Sequence, residues 1–315
     1  MNQENSSGIW NALGDIFPSE DLRRGASMKA YTTLRLGGPA DLLAEVSRAE
    51  QVPAALRVGK ALSCPVTLLG NGSNLLVKDG GIEGLVLHIG EDFSQVSEPV
   101  SQPDGTFHIT AQGGATLQKL ANVALQYSLT GAEFLSGIPG TVGGAAYMNA
   151  GAYGGEMKDI VTRVILADEQ GLHTVEGVEM NFGYRHSRLM ETPKLTAVTS
   201  VTVALRPGDP AAIHATMMDY SQRRRSKQPL SFPSCGSTFK RPEGHFAGAL
   251  IEGCGLKGAR VGGASVSTLH AGFLLNDGGG TAADYLALIR LVQETVLKET
   301  GVQLEPEVRI IGREA

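Results

Sequence analysis

Cysteine is scarce in this chain of 315 residues: Cys64, Cys235 and Cys254 are an odd set without metal-ligand spacing. They provide no disulfide framework, and a reducing cytoplasm suits them. Seven histidines stand singly, so no metal site is expected. No apolar run approaches the length of a membrane span, and the polar start from Met1 to Ser7 carries no export signal. A basic excess is missing too: the net charge of −5 argues against a general nucleic-acid binder, which needs a basic face. No Walker A pattern, Gly-x-Ser-x-Gly elbow or His-Glu-x-x-His motif occurs. What remains, with 42% hydrophobic and 19% charged residues, is a soluble globular protein of about two domains.

Glycine, by contrast, is plentiful and clustered. The run Gly137-Ile138-Pro139-Gly140-Thr141-Val142-Gly143-Gly144-Ala145-Ala146-Tyr147-Met148-Asn149-Ala150-Gly151 is too long for an ordinary turn. It describes backbone lying close against something flat or charged, with no Cβ in the way. A second run, Gly70-Asn71-Gly72-Ser73-Asn74-Leu75, follows an apolar stretch and has the same character. Two glycine loops behind strands point to a dinucleotide held by backbone, the alternative being two tight turns in a glycine-rich fold. The Rossmann fingerprint is not met, because Leu75 stands where a third small residue belongs and strand follows instead of helix.

Periodicity gives the coarse organisation. A small β-α-β layer is expected from strand signals at 42–46, 66–69 and 85–89, with a helical face of Val52, Ala55, Leu56, Gly59 and Leu62. Thr116 predicts an N-cap before Leu117, Leu120, Ala121, Ala124 and Leu125, with Gly131 as the stop. Segments 161–167, 173–176 and 196–205 read as an antiparallel sheet. Turn residues from Arg206 to Pro210 mark a boundary, and Asp209-Pro210 opens a helix ending in Arg223-Arg224-Arg225-Ser226-Lys227. Thr281 and Asp284 form a capping box for a last helix, closed by Gly301, before a strand at 308–311.

Four polar spots could carry chemistry. Tyr184-Arg185-His186 sits in a turn, and a planar Arg fork suits a carboxylate, although a surface Arg is the commoner case. Cys235-Gly236-Ser237 offers a thiol and a hydroxyl: Ser237 can serve as acid or nucleophile, and Cys235 as reactive thiol or inert buried hydrophobe. Glu305 and Glu307 flank Pro306 at a strand mouth, where carboxylates are usually solvated. The basic cluster from Arg223 to Lys227 suits a helix C-terminus and also phosphate groups.

Together these pieces resemble the UDP-N-acetylenolpyruvoylglucosamine reductases over nearly the whole chain. The resemblance is carried by Thr32-Thr33-Leu34-Arg35-Leu36-Gly37-Gly38-Pro39-Ala40, the two glycine runs, Gly183-Tyr184-Arg185, Gly236-Ser237-Thr238-Phe239-Lys240 and Leu304-Glu305-Pro306-Glu307-Val308, in that order. It implies an α+β fold: an FAD-binding region of the vanillyl-alcohol-oxidase type in two subdomains, 31–95 and 96–207, after an N-terminal segment 1–30. A substrate-binding domain, 208–302, and a C-terminal strand, 303–315, returning to the active site would follow. The chain resembles the shorter type, without the inserted tyrosine-bearing loop; Tyr31 departs from the Asn common before the Thr-Thr pair.

Carried over residue by residue, the resemblance makes Arg185, Ser237 and Glu307 catalytic. It places non-covalent FAD along Gly70, Asn71, Gly72, Ser73, Asn74, Leu75, Gly137, Ile138, Pro139, Gly140, Thr141, Gly143, Gly144, Ala145, Asn149 and Gly151, with Arg225 toward phosphate. Substrate would meet Tyr184, Lys240 and Asn276. The implied reaction is NADPH-dependent, FAD-mediated reduction of UDP-N-acetylglucosamine enolpyruvate to UDP-N-acetylmuramate for peptidoglycan. Two other readings keep the glycine loops. A flavin oxidase would often tether its flavin through His or Cys, which the loops lack, and a non-catalytic sugar-nucleotide binder would need no proton donor.

Overall fold

The computed structural model describes residues 3–192 and 194–315, so the first two residues of the expected N-terminal segment lie outside it. Among the described residues are seven α-helices: α1 Gln3–Gly14, α2 Gln51–Ala61, α3 Leu117–Gln126, α4 Val142–Met148, α5 Pro210–Lys227, α6 Ala247–Gly253 and α7 Ala282–Thr300. With eighteen strands between them, the class is α+β, as expected. The chain forms two compact units and visits them alternately. The first comprises Met1–Arg23, Leu43–Asn71 and Gly84–Arg223; the second comprises Arg24–Leu42, Gly72–Glu83 and Arg224–Ala315.

In the first unit, the strand Val66–Leu69 runs parallel to Ile82–His88, from Val66 opposite Leu85 to Leu69 opposite His88. α2 precedes the first of them in the chain and buries Val52, Ala55, Leu56 and Gly59. Gly59 allows that approach: a Cβ there would lie 2.6 Å from Val66 Cγ2. A larger antiparallel sheet has the order Gly171–Glu176, Val161–Asp168, Ala197–Pro207, Phe107–Gln112, Val100–Ser101. Its core includes Ile109, Val164, Val201, Val203 and Leu205, packed with Leu117 and Leu120 of α3.

Thr116 caps α3 as expected, its side chain accepting from the Lys119 N–H. The predicted stop at Gly131 is late. α3 ends at Gln126, because Ser128 turns left-handed at φ 55° and the chain at once pairs Leu129 and Thr130 with the Ala197–Pro207 strand. A larger departure lies within the long glycine run, whose middle is the helix α4 and not open loop. Thr141 caps it, and Ala145, Ala146 and Met148 are adequate helix formers. Asn149 ends it at φ 47°.

The second unit holds a four-stranded antiparallel sheet, ordered Ser234–Ser237, Phe273–Asn276, Ala264–Val266, Arg260–Val261. α7 buries Tyr285, Leu288, Ile289, Val292 and Val296 in the core of this unit, a face foreseen from its spacing. Its start is fully supplied with acceptors. The Thr281 hydroxyl takes the Asp284 N–H at 3.1 Å, the Asp284 carboxylate takes the Thr281 N–H at 3.0 Å, and Asp79 takes those of Ala282 and Ala283 at 2.9 Å each. The Thr281 N–H most of all, with the Gly263 N–H and the Thr281 hydroxyl, holds the Asp284 carboxyl below the usual carboxylate range. Thr281→Ala removes one partner of this box and should cost about 1 kcal/mol. The expected result is a lower urea midpoint with an unchanged m-value and unchanged flavin content.

Candidate active site

The two glycine runs meet within the first unit. Asn71 donates from its side-chain amide to the Pro139 carbonyl at 3.0 Å. A Cβ on Gly70 would fall 2.6 Å from Thr141 Oγ1, so the loops touch only because that atom is missing. Among the described residues no protein acceptor engages the backbone N–H of Asn71 or Ser73. Donors of that kind, on a bared backbone, suit a pyrophosphate. The start of α4 is different. Val142 N–H goes to Ala115 O and Gly143 N–H to Gly113 O, each at 2.8 Å, and Gly144 N–H goes to Thr141 Oγ1 at 3.3 Å. Gly143 is buried, and a Cβ there would lie 3.0 Å from the carbonyl oxygens of Gly113 and Val198. Its glycine serves the packing of α4 on the protein. Gly144 is exposed, and a Cβ there would meet only Thr141 Oγ1, at 3.4 Å.

Arg185 also belongs to the first unit, at φ 52° in a four-residue turn. Gly183 and His186 close that turn by exchanging backbone hydrogen bonds at 3.0 and 3.2 Å. The segment following α4 holds it. Asn149, fully buried, donates to the Gly183 carbonyl and to Glu156, both at 2.8 Å, and accepts from the Lys158 N–H at 2.9 Å. Ser187 donates to the Tyr147 carbonyl at 2.5 Å. The Arg185 guanidinium lies 3.5 Å from the Gly151 carbonyl and 5.3 Å from the Tyr184 ring centroid. The neighbouring Glu156 carboxyl is held below its usual range, first by Lys158, with Asn149 and the Arg185 charge adding to it. Tyr184 is exposed. The Asn149 side chain is thus committed within the protein.

Ser237 and Glu307 lie together in the second unit. The Ser234–Ser237 strand pairs Ser234 with Leu275 and Ser237 with Phe273, so two residues, Cys235 and Gly236, oppose one, Leu274. This is a β-bulge, and Gly236 takes φ 80° within it, which leaves Ser237 exposed. The chain then pairs with its own end: Glu307 N–H donates to Thr238 O at 2.8 Å, and Lys240 N–H to Glu305 O at 2.9 Å. Asn74 donates from its side chain to Glu307 O at 3.1 Å, and Arg309 N–H to Asn74 O at 3.0 Å. A hydroxyl and a carboxylate are thereby fixed on adjoining backbone, beside the end of the Gly72–Ser73–Asn74 loop.

The other expected site residues are placed as follows. Cys235 is buried, and burial pushes its thiol up to about 11, so it remains an S–H and not a reactive thiolate. Lys240 is ion-paired with Glu305. Asn276 is buried, donating to Leu34 O at 3.1 Å and accepting from Gly280 N–H at 3.0 Å, so its amide joins protein segments. In the basic cluster, Arg223 pairs with Asp219 one helical turn away at 2.8 Å, Arg224 is buried and Arg225 is exposed. Sequence reading missed Asn149 as the support of the Arg185 turn, and Thr238 as the link between Ser237 and Glu307. No local pattern marks either role, because both depend on segments distant in sequence.

Glycine-bared loops with amide donors suit the dinucleotide of an FAD-binding oxidoreductase, and the second unit carries a hydroxyl and a carboxylate on adjoining backbone. Residues 40–175 match the FAD binding domain family, and residues 228–311 match the C-terminal domain of UDP-N-acetylenolpyruvoylglucosamine reductase. The reductase of Geobacillus kaustophilus is 46% identical over 99% of this chain and 100% of its own. That of Agathobacter rectalis is 49% identical over 96% and 97%. The crystal structure of the Thermus caldophilus reductase superposes with a TM-score of 0.77 at 35% identity, covering 92% of this chain and 97% of that one. The chain belongs to the UDP-N-acetylenolpyruvoylglucosamine reductase family, with FAD as its cofactor and a role in peptidoglycan precursor synthesis.

The contrast between neighbouring glycines gives a test. In FAD-free protein, Gly143→Ala should lower stability through its two carbonyl contacts, while Gly144→Ala should raise it by about 0.5–1 kcal/mol through helix propensity. Urea denaturation of the apoproteins measures both. The bulkier Gly144→Val, titrated with FAD, should bind it at least tenfold more weakly if the cofactor lies against that face.

Proposed function

We propose that Arg185, Ser237 and Glu307 carry the reduction of UDP-N-acetylglucosamine enolpyruvate by NADPH, and that FAD is held non-covalently by the Asn71–Ser73 amides and lies against the glycine run at the exposed face of Gly144. The proposed organisation has FAD-binding subdomains at 31–95 and 96–207, a substrate-binding region at 208–302 and a functional chain end at 303–315. A cytoplasmic setting fits this role; among the described residues no helix is long and apolar enough to cross a membrane. The observation that carries the proposal is the ladder joining Ser237 and Glu307 through the 2.8 Å bond from Glu307 N–H to Thr238 O.

When bound, FAD supplies a hydride, taken from NADPH, to the terminal carbon of the enolpyruvyl group. Negative charge then spreads onto the substrate carboxylate. Arg185 stabilises it as a fixed cation whose planar fork matches two oxygens, and Glu307 adds a hydrogen bond to it when its carboxyl carries a proton. Ser237 gives its proton to the carbon bearing the ether oxygen. A serine hydroxyl is a weak acid in water, so its contribution rests on placement by the bulge at Gly236. Tyr184, beside Arg185, and Lys240, held by Glu305, are assigned to substrate binding, as is the Asn276 segment. Arg225 is assigned to phosphate.

Ser237→Ala should fold, retain FAD and oxidise NADPH at the normal rate. Reoxidation by the enolpyruvyl substrate should slow by several orders of magnitude, because water does not replace a positioned donor. Stopped-flow bleaching and recovery of flavin colour separate the two steps. Slow bleaching with normal recovery would instead place Ser237 at the nicotinamide. Acid denaturation should also release all yellow colour from the chain; colour left on the polypeptide would mean a covalent flavin.

A further inference from the structure

Leu274 stands opposite the bulge that presents Ser237, where a regular ladder would be interrupted. Its neighbours on that edge have backbone partners: Asn276 N–H donates to Pro233 O at 3.0 Å, and Gly272 O accepts from Thr238 N–H at 2.9 Å. At Leu274 side chains take over. Its N–H donates to Thr238 Oγ1 at 3.3 Å, and its carbonyl accepts from the Tyr285 hydroxyl at 3.2 Å. Tyr285 Oη also lies 3.2 Å from Thr238 Oγ1 and 3.2 Å from Cys235 Sγ.

The donor count assigns every proton. The carbonyl of Leu274 cannot donate, so the single phenolic hydrogen of Tyr285 goes to it. The Thr238 hydroxyl, which accepts from Leu274 N–H, then donates to Tyr285 Oη, and so does the Cys235 thiol. Burial raises the pKa of both the phenol and the thiol, which keeps these protons in place. Tyr285 and Thr238 are fully buried, and an interrupted circuit there has no water to fall back on. Thr238 is covalently next to Ser237, and its carbonyl holds the N–H of Glu307.

We propose that Tyr285 and Thr238 are positioning residues for the proton-transfer step, replacing the missing rungs at the bulge and so fixing Ser237 and Glu307 relative to each other. The proposal rests on the catalytic reading of Ser237 given above. It deepens that reading by assigning a placement role to buried groups that touch neither substrate nor cofactor.

The test compares Tyr285→Phe, Thr238→Val, Thr238→Ser and Ser237→Ala as holoenzymes in the two half-reactions. Tyr285→Phe and Thr238→Val should bind FAD and bleach with NADPH as the wild type does. Their reoxidation by the enolpyruvyl substrate should slow ten- to a hundredfold. Thr238→Ser keeps the hydroxyl and should restore the rate. The double variant Tyr285→Phe/Thr238→Val should be no slower than the slower single one, since both break one circuit. Amide exchange at Leu274 should quicken in the Phe and Val variants.

A further readout separates placement from stability. With the serine displaced, slow protonation by solvent competes with it, and product epimeric at the lactyl carbon should appear as a minor fraction, below that formed by Ser237→Ala. Lower thermal stability with wild-type reoxidation and a single epimer would overturn the proposal. If Ser237→Ala itself reoxidises at the wild-type rate, the serine reading fails and takes this one with it. If Ser237→Ala is slow while Tyr285→Phe and Thr238→Val are normal, only the positioning role fails. Should Tyr285→Phe not retain FAD, Thr238→Val against Thr238→Ser decides alone.

Discussion

The second unit depends on the return of the chain end. Residues 305–307 pair with 238–240, and Arg309–Ile311 pairs in parallel with Leu75–Val77. One short segment thus carries Glu307, holds the strand leaving Ser237 and meets the strand leaving the first glycine loop. The sequence separations are large, from 65 residues to more than 230, so these bonds offset a considerable loop-closure entropy. Local propensity would not form them alone. The adjoining core stabilises them: Leu76, Phe239, Leu304 and Val308 are all buried together, with Tyr285 and Leu288 of α7.

The first unit solves a similar problem with a helix end. α4 is short and glycine-containing, a poor helix by propensity, and tertiary packing compensates. Gly143 lets it lie against Gly113 and Val198, and Thr141 caps it. Its far end then acts on the next segment. Asn149 turns the chain left-handed, and its amide reaches the Gly183 carbonyl; Tyr147 takes the Ser187 hydroxyl. The turn bearing Arg185 is therefore fixed at both sides by the residues that end α4. Arg185 itself sits at a positive φ, a local strain sustained by those bonds.

The two units share one economy of design. The groups proposed to meet substrate, Ser237 and Tyr184, are exposed, while the groups that hold their segments, Thr238, Tyr285 and Asn149, are buried and hydrogen-bonded. Buried polar groups are costly when left unmatched and rigid when matched, so they suit support better than reaction.

Much of the fold was legible in the chain because its signals are local. The α7 capping box, the Thr116 cap, the apolar face of α2 and the strand at 66–69 depend on residues within a few positions of one another, and they lie where spacing put them. The glycine runs were legible as backbone needing close approach. What approaches was not. Gly70 is glycine for Thr141, and Gly143 for the carbonyls of Gly113 and Val198, which only the folded chain brings near. The same limit hid α4, since a glycine-rich run reads as loop until packing is counted. Arg185, Ser237 and Glu307 gained their assignments from family resemblance, because their types alone are common on surfaces. Their supports stayed hidden for a plainer reason. The bulge at Gly236, the Asn149 amide and the Tyr285 phenol act across tens of residues of intervening chain, so sequence alone determined which groups were available and tertiary structure decided which of them meet.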